Sequence, residues 1–381
     1  MNSILKDYEN ISSFVFPFEG ERHLCTIIAL PYREDTWREK ASPALEEFLN
    51  VVKAISAYEM VVVIIDPRFD ASICTRFQMK NTHILRLKYD DSWMRDSLPV
   101  FLKDEVNKRL VGVDFGFNAW GGDYDGLYKP WDDDNALGKN TLLELMIHRY
   151  PDKDFILEGG SIHTDGQGTL LTTEECLLSE GRNKNLSKEE IEARLKKDLN
   201  VSKVLWLPYG IYNDETNGHV DNICCFLAPG VVALATTDDK DDPQYQRSLK
   251  DKEYLESVTD ANGNKLTIVE LPLPKPQYLT KEEADGIVAD KDAVQRQEGR
   301  RLAASYVNFY MGEDFLICPQ FGDEKDALAV KILSEFYQNK KVIVPIYSRE
   351  ILLGGGNIHC ITKQVPFMEP GYDIEPKEGD K

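Results

Sequence analysis

Residues near the C-terminal end offer a candidate for covalent chemistry. Residues 354–360 read GGGNIHC, so three consecutive glycines closely precede one cysteine, Cys360. Glycines let a backbone approach its neighbours closely, and a lone cysteine of an intracellular protein is a candidate nucleophile. The segment alone fits two interpretations: a nucleophile beside a close-approach loop, or a glycine turn followed by a buried strand cysteine.

Three other polar residues recur at nearly constant intervals. Asp96, Glu158 and His219 lie 62 and 61 residues apart, and Cys360 follows 141 residues later, close to two further intervals. Residues 157–164 and 353–360 also share leucine, two glycines, isoleucine and histidine at matching positions. Such spacing is typical of a supersecondary unit that recurs about five times. We therefore predict an α/β fold, a pseudo-fivefold propeller in which each unit offers one strand end to a shared centre.

This set of side chains would suit attack on a cation. A cysteine thiol with an ordinary pKa near 8.5 needs a base or a positive charge nearby to react as a thiolate. His219 could supply general acid and base catalysis. The surplus carboxylates, with Asp221 among them, would raise the thiol pKa and hinder attack on a neutral amide. They suit a guanidinium, because two carboxylates can bind its planar N–H groups while its charge lowers the thiol pKa.

Each candidate also has a purely structural interpretation. Asp96 follows Arg95 and could be half of a surface ion pair, and Glu158 could be an acid in a loop. Asp221 lies two residues after His219, which on a strand would place both side chains on one face.

Histidine, tryptophan and glycine residues near these candidates also bear on the site. By strand alternation His359 would point away from Cys360, so we interpret it, and likewise His163, as structural. Trp93 is of a type usually found in the core, but its place three residues before the first carboxylate suits a pocket wall. Gly356 belongs to the glycine run that would let the chain pass close to a small flat cation.

The elements that must position these residues alternate between strands and helices. Apolar runs predict strands at 23–31, 60–65, 82–87, 169–173, 204–207, 231–236, 315–318 and 341–345, and helical spacing predicts helices at 44–55, 142–149, 188–199 and 327–337. Residues 111–135 are rich in glycine, tryptophan and aspartate, which indicates a long ordered loop. A turn is predicted at 262–264. We expect residues 1–20 and 367–381 to be loosely ordered.

Composition narrows the functional class. The net charge of -20 argues against nucleic acid as a partner and is compatible with a cationic substrate. Seven cysteines without a CxxC spacing argue against a disulfide framework and a zinc knuckle. The apolar runs are too short to span a bilayer, and the N-terminal residues lack the features of a signal peptide. We expect a cytoplasmic protein.

With these motifs in view, the chain resembles the agmatine deiminase family of the pentein, or guanidine-modifying, superfamily. The resemblance runs over nearly the whole chain and rests on segments in the family's order: residues 93–96, 117–122, 157–163, 178–183, 215–221, 304–309 and 354–360. The chain departs from the family at residues 25–31, where the family is richer in tryptophan, and within 272–300. These departures concern oligomer contacts and the pocket rim.

The resemblance implies one catalytic domain over residues 1–381, with a five-bladed pentein fold of repeated ββαβ units. It implies hydrolysis of agmatine to N-carbamoylputrescine and ammonia without a metal or cofactor. In that reaction Cys360 would carry the amidino group, Asp96 and Asp221 would hold the guanidinium, and His219 and Glu158 would handle protons.

The same resemblance extends to the substrate contacts and the setting of the enzyme. Glu215, four residues before His219, matches an agmatine-contacting position, and we expect Trp93 and Gly356 to contact the substrate too. The implied ligand is a small cation, the implied assembly is a homo-oligomer, and the implied context is putrescine biosynthesis.

Other functions stay open at this point. An arginine or peptidyl-arginine deiminase of the same fold would have to receive a carboxylate, and we identify no obvious arginine near the motifs for it. A non-catalytic binder of polyamines or guanidinium metabolites would use the same acidic pocket. A papain-like hydrolase would leave the extra carboxylates without a use.

Overall fold

The chain folds into short sheets flanked by helices, described here for residues 7–338 and 340–369 of a computed structural model. The strands are β1 (His23–Ala29), β2 (Val61–Ile64), β3 (Thr82–Leu85), β4 (Val100–Asp104), β5 (Arg109–Gly116), β6 (His148–Ile156), β7 (His163–Thr164), β8 (Thr169–Thr173), β9 (Lys203–Leu207), β10 (Cys224–Ala228), β11 (Val231–Thr236), β12 (Thr267–Pro272), β13 (Gln277–Tyr278), β14 (Arg301–Leu302), β15 (Tyr310–Met311), β16 (Phe315–Gln320), β17 (Val342–Tyr347) and β18 (Lys363–Pro366). The helices are α1 (Ser42–Ser56), α2 (Ser72–Phe77), α3 (Met94–Ser97), α4 (Gly122–Asp125), α5 (Asp132–Leu145), α6 (Glu174–Leu177), α7 (Lys188–Leu199), α8 (Val220–Ile223), α9 (Pro243–Ser257), α10 (Lys281–Asp285), α11 (Asp326–Tyr337) and α12 (Arg349–Leu353).

Four of the sheets share one topology. In the sheets β4–β5–β6, β7–β8–β9, β10–β11–β12 and β15–β16–β17, the first two strands are antiparallel and the last two are parallel. Parallel neighbours need a long crossover connection, and in each unit that crossover carries a helix: α5, α7, α9 or α11. The predicted α/β class is therefore confirmed.

The remaining large sheet joins the two ends of the described chain. β1 is parallel to β2, which is parallel to β3, while β18 supplies the antiparallel partner of β1. α1 covers this sheet and buries its apolar stripe, with Phe48, Val52 and Ile55 inaccessible to solvent. This sheet therefore also contains an antiparallel pair followed by a parallel pair, and its antiparallel strand comes from the C-terminal end of the described chain.

The predicted site residues lie in the segments that lead into the antiparallel partner strands. Asp96 is on α3 before β4, and Glu158 lies between β6 and β7. His219 is the residue before α8, which runs into β10, and Cys360 is three residues before β18. Equivalent positions of successive units therefore carry the functional side chains.

Several sequence predictions need correction in this part of the chain. Residues 111–135 are not a long loop, because Val111, Val113 and Phe115 are buried in β5 and α5 begins at Asp132. Three aspartates in the first turn of α5 suit the positive end of the helix dipole. The helix predicted at 142–149 ends at Leu145, after which the chain enters β6.

The N-terminal segment also differs from expectation. Residues 7–20 are not loosely packed, since Ile11 and Phe14 enter a buried cluster and Val15 pairs with Lys103. The loosely ordered ends expected at 1–6 and 370–381 lie outside the described residues. The predicted turn at 262–264 is present, with Gly263 at φ 83°. Of the helices that the structure describes, none has the length and apolarity needed to cross a membrane.

Candidate active site

A cavity of about 520 Å³ opens in front of the cysteine. Five predicted residues line it: Trp93, Asp96, Glu215, Gly356 and Cys360. The other three predicted residues, Glu158, His219 and Asp221, are almost fully buried directly behind the lining. The structure thus brings all eight predicted residues to one place.

Cys360 lies at the cavity wall with 6% of its surface exposed. Its Sγ is 3.6 Å from Oδ2 of Asp221 and 3.1 Å from Nδ2 of Asn308. Burial raises the pKa of the Cys360 thiol well above its ordinary value, and the charges of Asp221 and Asp96 raise it further. The thiol is therefore protonated when the cavity holds no cation.

Asp96 is fixed on two sides. Its Oδ1 accepts the backbone N–H of Gly160 at 2.8 Å, and its Oδ2 accepts the indole N–H of Trp120 at 2.9 Å. A Cβ on Gly160 would lie 2.6 Å from Nδ1 of His219, 2.8 Å from Oδ1 of Asp96 and 2.9 Å from Oδ2 of Asp221. The glycine therefore allows three functional groups to converge on its backbone.

His219 lies between two carboxylates. Its Nδ1 is 3.9 Å from Oδ2 of Asp96, and its Nε2 is 4.0 Å from Oε2 of Glu158. Burial disfavours the imidazolium, but the charge of Asp96, a hydrogen bond with Cys176 and the charge of Glu158 together raise the pKa of His219 to about 10. The histidine is therefore a proton donor at neutral pH. Glu158 is held in turn by Arg182, whose Nε donates to Oε1 at 3.0 Å.

Asp221 is oriented by a residue that the sequence interpretation set aside. Nδ1 of His359 is 2.8 Å from Oδ2 of Asp221, and its Nε2 is 2.9 Å from Oε2 of Glu19. The alternation argument for His359 is wrong because residues 359–361 form a turn, not a strand. Likewise His219 and Asp221 belong to the start of a short helix and not to one strand face. Burial opposes ionisation of Asp221, but the bond from His359 lowers its pKa overall.

At the rim of the cavity, Glu215 is paired with arginines. Arg296 donates to both carboxylate oxygens at 3.1 and 2.6 Å, and Arg300 approaches Oε1 at 3.0 Å. Arg296 also donates to the carbonyl oxygens of Thr36 and Gly354, so it ties three segments together. No arginine near the motifs was expected from sequence. Arg296 is one, although its charge is already matched by Glu215.

The aromatic wall is a stacked pair of indoles. Trp93 lies 5.2 Å from Trp37, with ring planes 25° apart, and both N–H groups donate to Asp91. A Cβ on Gly356 would lie 2.6 Å from the Trp93 ring and 3.1 Å from Sγ of Cys360. The expected close-approach role of this glycine therefore has a geometric basis.

Asn308 is a site residue that sequence reasoning missed. Besides contacting the thiol, its Oδ1 accepts the backbone N–H of His359 at 3.1 Å. It precedes β15, as Asp96 precedes β4, so it occupies the equivalent position of the unit between those of His219 and Cys360. The signal was the 141-residue gap, in which one member of the series was missing. The inserted segment with α10, β13 and β14 displaces Asn308 from the regular interval.

In the described part of the chain, two buried groups bring metal-ligating atoms within 4.8 Å of one another: Glu19 with His163 and His359, and Glu158 with Cys176 and His219. In each group a guanidinium already binds the carboxylate, Arg95 in the first and Arg182 in the second. A fixed positive charge at that distance disfavours a metal ion, so neither group fits one well.

Comparison with known proteins places these features in a family. The family model described as Porphyromonas-type peptidyl-arginine deiminase matches residues 15–366. A curated agmatine deiminase of Pseudomonas aeruginosa is 46% identical over 353 residues, which are 93% of this chain and 95% of that protein.

Solved structures agree with this relationship. A structure of the agmatine deiminase of Enterococcus faecalis superposes with a TM-score of 0.90 at 40% identity, covering 95% of this chain and 98% of that one. A cysteine-to-serine variant of the C. jejuni agmatine deiminase, with substrate bound, gives a TM-score of 0.79 at 28% identity, covering 93% and 97%. The chain therefore belongs to the Porphyromonas-type peptidyl-arginine deiminase family.

Proposed function

We propose that this protein is an agmatine deiminase, a hydrolase that converts agmatine to N-carbamoylputrescine and ammonia. One observation carries the proposal: buried polar atoms of the candidate active site have no hydrogen-bond partners among the described residues. They include the carboxylate oxygens Oδ1 of Asp221 and Oε2 of Glu158, and Nε2 of His219. Oδ1 of Asp221 belongs to the carboxylate whose Oδ2 is 3.6 Å from Sγ of Cys360, and an unpaired acceptor there suits an N–H group of a planar guanidinium.

The reaction begins with binding of the cation. The guanidinium lies between Asp96 and Asp221, whose negative charges hold the thiol pKa high, and its positive charge offsets them. The thiol of Cys360 then loses its proton to solvent, and Sγ attacks the guanidinium carbon. This arrangement couples formation of the nucleophile to the presence of substrate.

His219 serves the two proton transfers that follow. As imidazolium it protonates the departing amino group, the C–N bond breaks, and ammonia leaves a thiouronium on Cys360. The neutral imidazole then takes a proton from water, whose oxygen attacks the same carbon. The C–S bond breaks to release the ureido product, and Glu158 stabilises His219 in each of its protonated states.

The rim favours agmatine over arginine. Arginine carries a carboxylate that needs an unmatched cation. Of the two arginines on Glu215, Arg296 lines the cavity and Arg300 does not, and Arg296 makes two bonds to Glu215 and two to backbone carbonyls. The relatives compared above are named agmatine deiminases, which points the same way. The family model is nevertheless named for peptidyl-arginine, so that substrate belongs in the test.

The proposal extends to the architecture. The four sheets with a shared topology, together with the sheet β18–β1–β2–β3, which contains the same succession of an antiparallel and a parallel pair, support a five-bladed arrangement around one site within one catalytic domain. A cytoplasmic homo-oligomer that needs no metal or cofactor and supplies putrescine formation completes the proposal.

The test is ammonia release from agmatine, free arginine and a peptidyl-arginine. We expect turnover of agmatine and little of the other two, and a covalent amidino adduct on Cys360 by mass spectrometry during turnover. Cys360→Ser should bind agmatine and release no ammonia. Preferred turnover of arginine would reject the substrate, and turnover by Cys360→Ser would reject the nucleophile. Agmatine binding without ammonia release by the intact protein would indicate a binding protein.

A further inference from the structure

A second cleft lies behind the candidate active site. It encloses about 430 Å³ and is lined by Phe18, Arg22, Arg95, Phe101, Lys363 and Gln364 among others. Two adjacent glycines define its position. A Cβ on Gly160 would meet the active-site groups, whereas a Cβ on Gly159 would meet the carbonyl of Arg95 and, at 2.7 Å, Nζ of Lys363. The two cavities therefore lie on opposite sides of one backbone layer.

The floor of this second cleft carries a cation with spare hydrogen-bonding capacity. Arg95 is 2% exposed, and its Nη1 donates to Glu19 while its Nε donates to the carbonyl of His359. Its Nη2 is buried and has no partner among the described residues. A buried guanidinium N–H without an acceptor is costly, so this atom favours a ligand with an acceptor oxygen.

Lys363 adds a second donor at the same floor. It is 4% exposed, and the hydrogen bond found for its Nζ is one of 3.3 Å to the carbonyl of Arg95. An ammonium can donate three hydrogen bonds, so two remain without an acceptor among residues 7–338 and 340–369. Burial and the nearby charge of Arg95 lower the pKa of Lys363 to about 7, and a bound anion would reverse that effect.

The two carboxylates that line the second cleft are already paired with cations. Glu19 is the carboxylate bonded to Arg95, and it is shared with His359 at 2.9 Å and His163 at 3.4 Å. Glu21, also in the lining, is paired with Lys103. Arg22 also lines the cleft and is exposed, with its guanidinium 3.9 Å from the Phe367 ring centroid, so it adds a solvent-accessible positive charge.

We propose that the second cleft binds a small oxyanion, a carboxylate or a phosphate, between Nη2 of Arg95 and Nζ of Lys363. The site would adjoin the catalytic residues through the backbone. Arg95 precedes Asp96, its N–H donates to the carbonyl of Cys360 at 3.0 Å, and Lys363 follows three residues after that cysteine. An anion here would brace the two segments that hold the proposed nucleophile and the guanidinium-binding carboxylate.

Isothermal titration calorimetry at low ionic strength tests the proposal, with inorganic phosphate in one arm and acetate in the other. We expect saturable binding of at least one anion. The tighter of the two identifies the ligand chemistry. Lys363→Gln should weaken that binding about tenfold or more, because it removes a charge-assisted hydrogen bond. Lys153→Gln is the matched control, since Lys153 is also a partly buried amine that donates to backbone carbonyls, and the residues that accept, Phe115 and Asn135, do not line the second cleft. It should bind as the intact protein does.

Arg22→Gln provides a second variant, at an exposed position, and it should weaken binding severalfold. Absence of saturable binding of both anions to the intact protein would overturn the proposal. So would unchanged affinity in folded Lys363→Gln, or in Arg22→Gln if Lys363→Gln fails to fold. Since these titrations need no turnover, they are independent of the proposed deiminase activity.

Discussion

At the scale of single residues, His219 and Cys360 are governed by the same carboxylates. The charge of Asp96 raises the pKa of the imidazolium and also that of the thiol. The free site therefore holds a charged histidine and a neutral cysteine, which is a proton donor without a nucleophile. A cation entering the cavity lowers the pKa of the Cys360 thiol. It leaves His219 charged, because Glu158 still faces the imidazolium.

This coupling predicts that a cationic alkylating reagent reacts with Cys360 faster than a neutral one. Chloroacetamidine carries an amidinium that mimics the guanidinium. After correction for the rates with a free thiol, it should alkylate Cys360 at least ~tenfold faster than iodoacetamide, since each unit by which the thiol pKa falls raises the thiolate fraction tenfold. Asp96→Asn should reduce the ratio. Alkylation is followed on the Cys360 peptide, because Cys74 is also partly exposed. Equal corrected rates would contradict substrate-coupled ionisation.

At the scale of elements, the turn at 159–161 sets the geometry of the site. The backbone of Gly160 both donates to Asp96 and leaves room for the histidine and Asp221. A side chain there has no direction in which to move without displacing one of these groups.

Gly160→Ala should therefore lower kcat/KM for agmatine about a hundredfold, as expected when catalytic groups move by about 1 Å. The protein should remain folded by circular dichroism. Gly263→Ala is the control: that glycine has a positive φ but no atom within 4 Å of an added Cβ, so the change should cost about 1 kcal/mol in stability and leave kcat/KM intact. Full activity of Gly160→Ala would show that the side chains packed around Gly160 can move without loss of catalysis.

The sequence could predict most of the candidate catalytic residues, but fewer of the residues that hold them in position. Regular spacing identified Asp96, Glu158 and His219 because each unit presents the same turn to one place. Strand alternation failed around His359 and Asp221, since short turns and helices, not strands, carry these side chains. Arg296 and Glu19 were invisible because their partners are distant in the chain, as the 81 residues between Arg296 and Glu215 illustrate.

At the scale of the whole molecule, the first and last units are locked together. β18 pairs with β1, and the backbone N–H of Ile351 on α12 donates to Oε2 of Glu47 on α1 at 3.0 Å. α12 leads directly into the glycine run before Cys360, so α1 supports the segment of the proposed nucleophile. The sequence predicted both α1 and the strand β1, but a contact across 304 residues left no local signal.

Glu47 makes this junction pH-dependent. Burial raises the pKa of Glu47 to about 7, despite the backbone N–H groups of α12 that favour its ionised form. Between the ordinary pKa of about 4.5 and pH 7, the folded protein binds a proton that the unfolded chain has released. Stability contributed by this group is therefore present at low pH and is lost as pH rises through that window.

Glu47→Gln removes the titration and should stabilise the protein above pH 7 by up to about 3 kcal/mol, since each unit of pKa shift is worth about 1.4 kcal/mol. At pH 5 the two proteins should unfold at similar temperatures, and by pH 8 the variant should unfold a few degrees higher. Glu46→Gln, on the exposed side of the same helix, should show no such widening. Parallel stability curves for Glu47→Gln and the unaltered protein from pH 5 to 8 would mean that Glu47 ionises freely and does not set the pH response of this junction.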